Sequence, residues 1–261
     1  MPELPEVETI VRGLIPRLTG RRIVAAEFPC QRVLRSPMDG LAGLRIDGVR
    51  RSGKFIVFTF DNRRSLEIHL GMTGKLLVNG EPGPYTRALF TLEDGLLLYD
   101  DVRQFGRLEL SSAGGRGRTA ALGPDPLELD AESFVREVRA RRSRIKPLLL
   151  NQGFLRGLGN IYTDEALHRA EIHPLALSSR LSRPRCLRLH ESIRQVLLES
   201  IEHGGSSISD YVDAEGRRGG FQSLHRVYGR EGQPCMVCGT PVRRIVVAQR
   251  GTHFCPRCQR R

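Results

Sequence analysis

Four cysteines near the end of the chain have the spacing of a tetrahedral metal site. Two residues separate Cys235 from Cys238, sixteen residues follow, and two residues separate Cys255 from Cys258. Thiolate pairs at this spacing are typical ligands of structural zinc, which folds segments too small to form their own core. The alternatives are unligated thiols or a disulfide pair. We predict one structural Zn²⁺ held by these four cysteines.

The segment between the two cysteine pairs alternates enough to predict a β-hairpin, and it is basic. No acidic residue occurs between Cys235 and the end of the chain. A metal-braced hairpin with this charge suits contacts to phosphates, and the alternative is a solvated basic tail. The arginines between Cys235 and the end of the chain are Arg243, Arg244, Arg250, Arg257, Arg260 and Arg261.

The first residues form a second candidate site. If Met1 is removed, the nitrogen of Pro2 becomes a free secondary amine with Glu3 directly beside it. The alternative is that the acidic residues only favour the start of a helix, which fits Glu8 better than Glu3. Glu6 lies between the two, and we expect it to be structural.

Several residues at strand ends and in loops allow both a structural and a functional interpretation. Lys54 begins an apolar strand, and a lysine can exchange a proton near neutral pH where an arginine cannot. Arg103 and Phe105 lie in a loop, where an aromatic side chain beside an arginine can wedge into a base stack. Met72 has the same two interpretations. His69 is more often a structural histidine than a ligand or base.

The charge balance favours a polyanionic partner. The 261 residues include 41 basic and 29 acidic ones, for a formal net charge of +12, and only Lys54, Lys75 and Lys146 are lysines. A basic protein without a nucleic-acid role is the alternative. No apolar stretch approaches the roughly 18 residues of a membrane span, and no signal-peptide pattern is present. We therefore expect a soluble, intracellular protein in a reducing compartment.

The periodicity of apolar residues changes along the chain. After Pro5, the apolar residues from Val7 to Leu18 recur at helical spacing and predict a helix that Pro16 kinks or ends. Residues 21–111 contain short β-rich runs typical of a β-sandwich or barrel. A stretch rich in glycine and proline predicts a linker, and residues 131–203 predict helices. One of these helices follows a glycine turn with Asn160 as its N-cap, which makes its N-terminus a candidate anion site.

Five stretches together closely resemble the bacterial formamidopyrimidine-DNA glycosylase family: PELPEVET, HLGMTGKL, GLGNIYTDEAL, VYGREGQPC and the final cysteine module. The resemblance covers nearly the whole chain. It implies an α+β fold with an N-terminal helix and β-sandwich, a helix–two-turn–helix region and a β-hairpin zinc finger. The implied division is a catalytic domain over 1–114, a linker over 115–130, a helix–two-turn–helix domain with a lesion-recognition loop over 131–224, and a zinc finger over 225–261.

The resemblance also implies that the protein removes oxidised purines (8-oxoguanine, formamidopyrimidines) from double-stranded DNA and cleaves the abasic site. Pro2 would attack the sugar C1′ as nucleophile, and Glu3 would serve as acid and base. The resulting Schiff base cannot lose a proton from nitrogen, so it stays an electron sink for β- and δ-elimination. We expect a monomer in the bacterial cytoplasm. The alternatives are an endonuclease VIII-like enzyme for oxidised pyrimidines and a non-catalytic DNA-binding zinc protein.

Matching motifs assign further roles by resemblance. Lys54 corresponds to a lysine near the lesion phosphate with a role in catalysis, and Arg250 to the finger arginine that grips phosphates and assists the second elimination. Met72, Arg103 and Phe105 match the three residues that fill the gap left by a flipped nucleotide. The remaining expected DNA contacts are Asn160, Arg141 and His69.

Two positions depart from the family pattern. Tyr85 stands near where several relatives have a DNA-contacting histidine, so that contact is not carried over. Glu171 stands where relatives usually have a glycine that ends a helix, and a left-handed backbone there would cost about 1 kcal/mol. The segment SSISDYVDAEGRRGGFQ aligns with the loop that closes over the extruded base, and its glycines favour a mobile lid.

Overall fold

The computed structural model describes residues 1–115, 117–208 and 210–260. Arg261, Arg116 of the predicted linker and Ser209 of the predicted lid lie outside the described residues. The chain forms two compact units, which we call the sandwich unit (Met1–Ala121 with Ile201–Gln222) and the helical unit (Leu122–Ser200 with Ser223–Arg261). The four-part domain division given above stays a prediction.

Helix α1 (Leu4–Leu18) opens the sandwich unit. Pro5 lies in its first turn, where the missing N–H removes no intrahelical hydrogen bond. The Glu6 carboxylate accepts a hydrogen bond from the backbone N–H of Glu3 at 2.8 Å, as in a capping box. The helix ends two residues after Pro16, which agrees with the prediction that this proline ends it.

Two four-stranded antiparallel sheets form the rest of the sandwich unit. Their strand orders are β1-β6-β7-β5 and β2-β3-β4-β8. The strands are β1 (Ile23–Glu27), β2 (Ile46–Ser52), β3 (Phe55–Phe60), β4 (Ser65–His69), β5 (Lys75–Val78), β6 (Thr86–Leu92), β7 (Gly95–Asp100) and β8 (Arg107–Leu110). Every second residue of β6 is buried, as expected for a strand with one face on a core.

The core of the sandwich unit joins α1 to both sheets. Val7, Ile10 and Leu14 of α1 belong to one buried apolar cluster with Phe58 of one sheet and Phe90 of the other. Each of these side chains contributes about 1.5–3 kcal/mol when it is fully buried. This packing fixes the position of α1 and therefore of the residues at its start.

The segment that aligns with the predicted lid is only partly free of the core. Tyr211 and Ala214 belong to the same buried cluster as α1, and the backbone carbonyl of Ala214 accepts a hydrogen bond from the N–H of Val78. Ile208, in contrast, is exposed. The packed part of the segment is therefore anchored, which the glycine content alone did not indicate.

The helical unit contains the remaining helices and the terminal hairpin. The helices are α2 (Ala131–Arg139), α3 (Ile145–Leu150), α4 (Asn160–Arg169) and α5 (Arg183–Glu202), and the hairpin strands are β9 (Arg243–Val247) and β10 (Arg250–Phe254). These elements, with the two sheets, confirm the predicted α+β fold with a β-sandwich, a helical region and a C-terminal hairpin. None of the described helices has both the length and the apolar composition needed to cross a membrane.

The first helical stretch of this unit is divided where the sequence predicted continuous helical character. The backbone carbonyl of Ser143 accepts a hydrogen bond from Ser178, and the N–H of Ile145 donates to Ala176, each at 2.8 Å. These bonds to a segment distant in sequence hold the residues before Ile145 in an extended conformation. They separate α2 from α3.

We expect replacement of Glu171 by glycine to stabilise the protein by about 0.5–1 kcal/mol. Glu171 follows α4 with a φ of 57°, a left-handed conformation that favours glycine. Its exposed side chain forms only a long ion pair with Arg188, at 3.7 Å, so little is lost with it. Thermal unfolding of Glu171→Gly and Glu171→Ala tests this, since alanine keeps the backbone cost. Equal melting temperatures of the two variants would contradict the prediction.

Candidate functional site

The predicted nucleophile and its acid–base partner lie at the start of α1. Met1 is exposed, whereas Pro2 and Glu3 are buried. Glu3 is the N-cap residue of α1. A buried carboxyl group directly beside the Pro2 nitrogen is placed where a general acid is required.

Glu6 supports this start of the helix, in agreement with its expected structural role. One carboxylate oxygen accepts the N–H of Glu3, and the other accepts the N–H of Ser206 at 2.7 Å. The hydroxyl of Tyr211 donates to the backbone carbonyl of Gly204 at 3.1 Å. A Cβ on Gly205 would come within 3.0 Å of Glu6. The base of the lid segment is thereby fixed against the first turn of α1.

Lys54 lies in the tight turn between β2 and β3 and is buried. Arg51, three residues earlier, forms an ion pair with Glu8 of α1 at 2.8 Å. Burial raises the pKa of Glu8, but hydrogen bonds from Arg51 and Arg12 outweigh it, and the net pKa is lowered. This pair connects the strand that leads into the Lys54 turn with the first half of α1.

His69 at the end of β4 is a neutral donor in this environment. Burial, followed by the positive charges of Lys54 and Arg107, lowers the pKa of His69 to about 4. Its Nδ1 accepts a hydrogen bond from the N–H of Gly71 at 3.1 Å. The proton of the neutral ring is therefore on Nε2, which can donate to an anionic oxygen. The geometry suits a phosphate contact by the Nε2–H of a neutral His69.

Met72, Arg103 and Phe105 come together on the surface although they lie on two loops. The guanidinium of Arg103 stacks over the Phe105 ring at 4.7 Å, and its Nη1 is 3.3 Å from the Met72 sulfur. Met72 and Phe105 are 42% and 49% exposed. Two apolar side chains exposed next to each other around a guanidinium form a patch that a partner can cover. The arrangement suits insertion into a base stack.

A buried aspartate holds these two loops together. Asp101 accepts hydrogen bonds from the Thr73 hydroxyl at 2.5 Å and from the N–H of Gly106 at 2.8 Å. The Thr73 oxygen in turn accepts the N–H of Arg103 at 3.0 Å. A Cβ on Gly71 would meet the backbone of the facing loop at 2.6 Å, so only glycine fits there. The sequence analysis did not identify Asp101 and Thr73 as site residues. The one available signal was the adjacent acidic pair Asp100 and Asp101 before the loop.

The structure corrects the predicted role of Asn160 as a helix cap. Gly159 is the N-cap residue, and Asn160 is the first residue of α4. The side-chain amide of Asn160 donates to the carbonyl of Gly251 at 2.8 Å. The side-chain N–H of Asn160 is therefore used to bind the hairpin. Glycine is among the residues tolerated at the N-cap position, so Gly159 can take that place. Asn160 is thus tied to the residue after Arg250, so two predicted phosphate contacts lie side by side.

Arg250 itself begins β10, directly after a strained turn. Ala248 and Gln249, the two residues of the hairpin tip, have positive φ values of 48° and 59°. Two consecutive positive φ values are the geometry of a type I′ turn, which usually contains asparagine or glycine. Strain of this kind persists only where surrounding contacts hold it in place.

A buried ion pair holds the same turn. Lys146 of α3 and Asp164 of α4 are both fully buried, and Nζ lies 2.6 Å from the carboxylate. Nζ also contacts the Gly251 carbonyl at 3.3 Å, and the carboxylate accepts the N–H of His253 at 2.8 Å. The sequence singled out Lys146 only as one of three lysines and gave no sign of Asp164 as its partner.

Glu165, also on α4, is a second buried carboxylate with several hydrogen-bond partners. Its carboxylate accepts the backbone N–H groups of Arg226, Val227 and Tyr228 at 2.9–3.1 Å. A carboxylate that satisfies three consecutive donors fixes the local backbone strongly. The segment entering the cysteine module is therefore attached to α4. Sequence reasoning missed this residue too.

Arg141 lies just after α2 and already has partners. It forms an ion pair with Glu137 at 2.6 Å and stacks over the Phe154 ring at 4.9 Å. Hydrogen bonding and charge from Arg141 lower the pKa of Glu137. A phosphate contact by Arg141, as predicted, would compete with this exposed ion pair, which is weak.

The four cysteines of the C-terminal module fit one zinc ion. Their sulfur atoms all lie within 4.8 Å of one another. Cys235 and Cys258 are 3.9 Å apart, and Cys238 and Cys255 are 3.5 Å apart. Zn–S bonds of about 2.3 Å in a tetrahedron require sulfur separations of about 3.8 Å. All six cysteines are described, and none of them forms a disulfide in this structure.

The cysteine thiols differ in acidity: burial raises the pKa of Cys255 and of Cys258, whereas the pKa of Cys238 is lowered. A hydrogen bond from the Thr240 hydroxyl, followed by one from the Thr240 backbone, lowers the pKa of Cys238 to about 6. Metal binding requires the thiolate form. The predicted structural zinc site is therefore supported by the spacing, the geometry and the chemistry of these residues.

Three family models match consecutive parts of the chain. The formamidopyrimidine-DNA glycosylase N-terminal domain matches residues 1–108, the formamidopyrimidine-DNA glycosylase H2TH domain matches residues 122–212, and the zinc finger found in FPG and IleRS matches residues 232–261.

Individual proteins match over the full length. A formamidopyrimidine-DNA glycosylase of Solibacter usitatus is 55% identical over 266 residues that cover both chains completely. The crystal structure of MutM (FPG) from Thermus thermophilus is 43% identical with a TM-score of 0.91, covering 99% of this chain and 98% of that one. A Lactococcus lactis FPG mutant in complex with Fapy-dG containing DNA is 36% identical with a TM-score of 0.91 and complete coverage of both. The chain belongs to the formamidopyrimidine-DNA glycosylase family.

Proposed function

We propose that the protein is a DNA glycosylase and abasic-site lyase of base excision repair that removes oxidised purines from double-stranded DNA. The observation that carries the proposal is a buried Glu3 next to Pro2 at the start of a helix fixed in the sandwich core. Binding alone gives no reason for this pair. Solved relatives hold Fapy-dG containing DNA, 8-oxo-G containing DNA and DNA with an abasic site.

In the first step the amine of Pro2 bonds to C1′ of the damaged nucleoside and gives up its N–H proton. The base leaves with the electron pair of the C1′–N bond and takes up a proton in exchange. Removal of Met1 is required, because the nitrogen of Pro2 is otherwise part of an amide without nucleophilic character. Glu3 delivers a proton to the sugar ring oxygen, which opens the ring as the C1′–base bond breaks. Its position next to Pro2 places the proton donor beside the reacting C1′.

In the second step the strand is cleaved by elimination. The secondary amine gives an iminium ion that carries no proton on nitrogen, so its positive charge persists. Loss of a C2′ proton then expels the 3′-phosphate, and a further elimination expels the 5′-phosphate. Lys54 acts near the lesion phosphate. Arg250 stabilises phosphate charge, because a guanidinium does not release its proton at neutral pH.

The remaining predicted residues hold the DNA. Met72, Arg103 and Phe105 fill the space left by the flipped nucleotide, which recovers part of the few kcal/mol lost in unstacking. Nε2 of His69 donates to a phosphate. Asn160 and Arg141 contact the backbone, and the zinc ion braces the hairpin. We further propose a monomer located in the bacterial cytoplasm.

Paired excision assays test the substrate class. We expect the protein to release 8-oxoguanine opposite cytosine much faster than thymine glycol from otherwise identical duplexes. A strong preference for thymine glycol would instead support the endonuclease VIII-like alternative. If neither base is released faster than in the absence of the protein, the result would support the alternative of a non-catalytic DNA-binding protein.

The affinity for DNA should fall steeply with salt. Each neutralised phosphate lowers log K by about 0.9 per unit of log salt concentration. Fluorescence anisotropy with an abasic-site duplex at a series of salt concentrations measures the slope of log K against log salt concentration. Arg250→Ala should reduce the magnitude of that slope by about 0.9, the contribution of one phosphate contact. A flat dependence would show that phosphate contacts are not the main source of affinity.

A further inference from the structure

One face of α4 points three polar side chains at the cysteine module. Asn160, Asp164 and His168 are four residues apart, so they lie in a single row along the helix. The first two hydrogen-bond the backbone of the hairpin strand. The third reaches a metal-binding sulfur, that of Cys235. The row therefore ends at the zinc site.

The geometry at His168 defines which ring nitrogen carries the proton. Nε2 lies 3.5 Å from the sulfur of Cys235, and the histidine is buried. Nδ1 is also buried and has no hydrogen-bond partner. A bare nitrogen lone pair facing a thiolate would repel it, whereas an N–H attracts it. The proton therefore belongs on Nε2, directed at the sulfur.

His168 lies outside the ligand set itself. The four cysteine sulfurs lie within 4.8 Å of one another and form the group that could hold an ion, without the histidine. A structural zinc ion takes four ligands, and the cysteines fill all four positions. The nitrogen can therefore act on the metal only through the sulfur.

We infer that His168 is a positioning residue of the zinc site, donating an N–H···S hydrogen bond to the Cys235 thiolate. Four thiolates around one Zn²⁺ carry a net charge of −2, which is costly near a protein interior unless donors share it. The N–H of Cys258 supplies such a donor to Cys255 at 3.4 Å. For Cys235 the donor comes from α4, so the helix stabilises zinc binding directly. Groups of this kind typically change metal affinity by 10–100-fold.

The test compares zinc release from the zinc-loaded full-length protein. His168→Phe keeps a planar ring and removes the donor, and we expect zinc transfer to a chromogenic chelator at neutral pH to become about tenfold faster. His168→Gln places an amide N–H at a similar distance and should restore a rate within about threefold of the original. Release from the Phe variant at the original rate would overturn the inference.

A matched control separates the hydrogen bond from general loosening of α4. The hydroxyls of Tyr162 and Ser200 form a buried hydrogen bond of 2.6 Å, and Tyr162 is on the same helix. Tyr162→Phe removes that bond without touching a cysteine, so zinc release should stay at the original rate. Equal acceleration in Tyr162→Phe and His168→Phe would show that helix stability, and not the donor, controls release.

Cobalt substitution supplies a spectroscopic readout that is independent of enzymatic activity. Loss of a donor raises the energy of the thiolate electrons, so the sulfur-to-cobalt charge-transfer band should move to longer wavelength in His168→Phe. His168→Gln should restore the original band. Identical spectra for the original protein and the Phe variant would contradict the hydrogen bond.

Discussion

A form of the protein with any residue left before Pro2 forms no borohydride-stable link to DNA that contains an abasic site. An acylated proline nitrogen has no lone pair available for attack, so neither the iminium ion nor strand cleavage can follow. Removing a covalent nucleophile lowers rates by about four orders of magnitude or more. We expect excision of 8-oxoguanine to fall by at least this amount.

The measurement uses one polypeptide in two states. A cleavable N-terminal extension is removed by a protease that leaves Pro2 first, and the sample is assayed before and after cleavage. Binding to undamaged DNA checks that both forms are folded. After reduction, peptide mass mapping should locate the sugar fragment on Pro2. An adduct of equal yield before cleavage would exclude the N-terminal amine.

Glu3→Gln separates the two stages of the reaction. The variant keeps the Pro2 amine, so it should still cleave a duplex that already contains an abasic site. It lacks the proton donor for opening the sugar ring, and general acid catalysis typically contributes 10²–10⁴-fold. Excision of 8-oxoguanine should fall by about this factor. Equal losses on both substrates would contradict the assigned role.

Replacement of Lys146 by methionine should lower the free energy of unfolding by about 3–5 kcal/mol, because the Asp164 carboxylate is left charged and buried without its partner. The melting temperature should fall by roughly 10 °C. Lys75→Met is the matched control, since it removes the same charge from a half-buried strand position of the sandwich unit. Thermal unfolding of both zinc-loaded variants measures the difference.

The double variant Lys146→Met with Asp164→Leu distinguishes a broken charge pair from lost packing. An apolar pair of similar volume often replaces a buried ion pair without loss. We therefore expect most of the stability to return. The DNA affinity of the double variant, in contrast, should remain below that of the original protein, because the Gly251 carbonyl next to Arg250 has lost its lysine donor. A melting temperature for Lys146→Met equal to that of Lys75→Met would contradict the prediction.

Local patterns predicted most of the fold. The short β-rich runs within residues 21–111 include FIVFTF and GLLLYD, which form strands β3 and β7, and the four-cysteine spacing places the zinc site. Strand β2 gives a weaker sequence signal, because Gly48 and charged residues interrupt its apolar pattern. Ile15 follows the helical period of α1 but is exposed, since it lies beside the buried face and not within it.

The supporting residues of the site could not be predicted from the sequence. Asp101, Asp164 and Glu165 resemble ordinary surface acids until the chain is folded. Each has a partner that lies 18 or more residues away along the chain: Thr73, Lys146 and Arg226 respectively. Burial makes each of them significant, since a buried carboxylate must find donors. The sequence indicates which side chains react, and tertiary contacts determine what holds them.

The bonds between Glu165 and three successive peptide nitrogens limit how this protein can be rearranged. A finger transplanted without its helix would carry those nitrogens into its new host with no acceptor, at about 1–3 kcal/mol each if they remain buried. Engineers who wish to exchange the metal-binding tail between homologues should move α4 and the tail as one cassette.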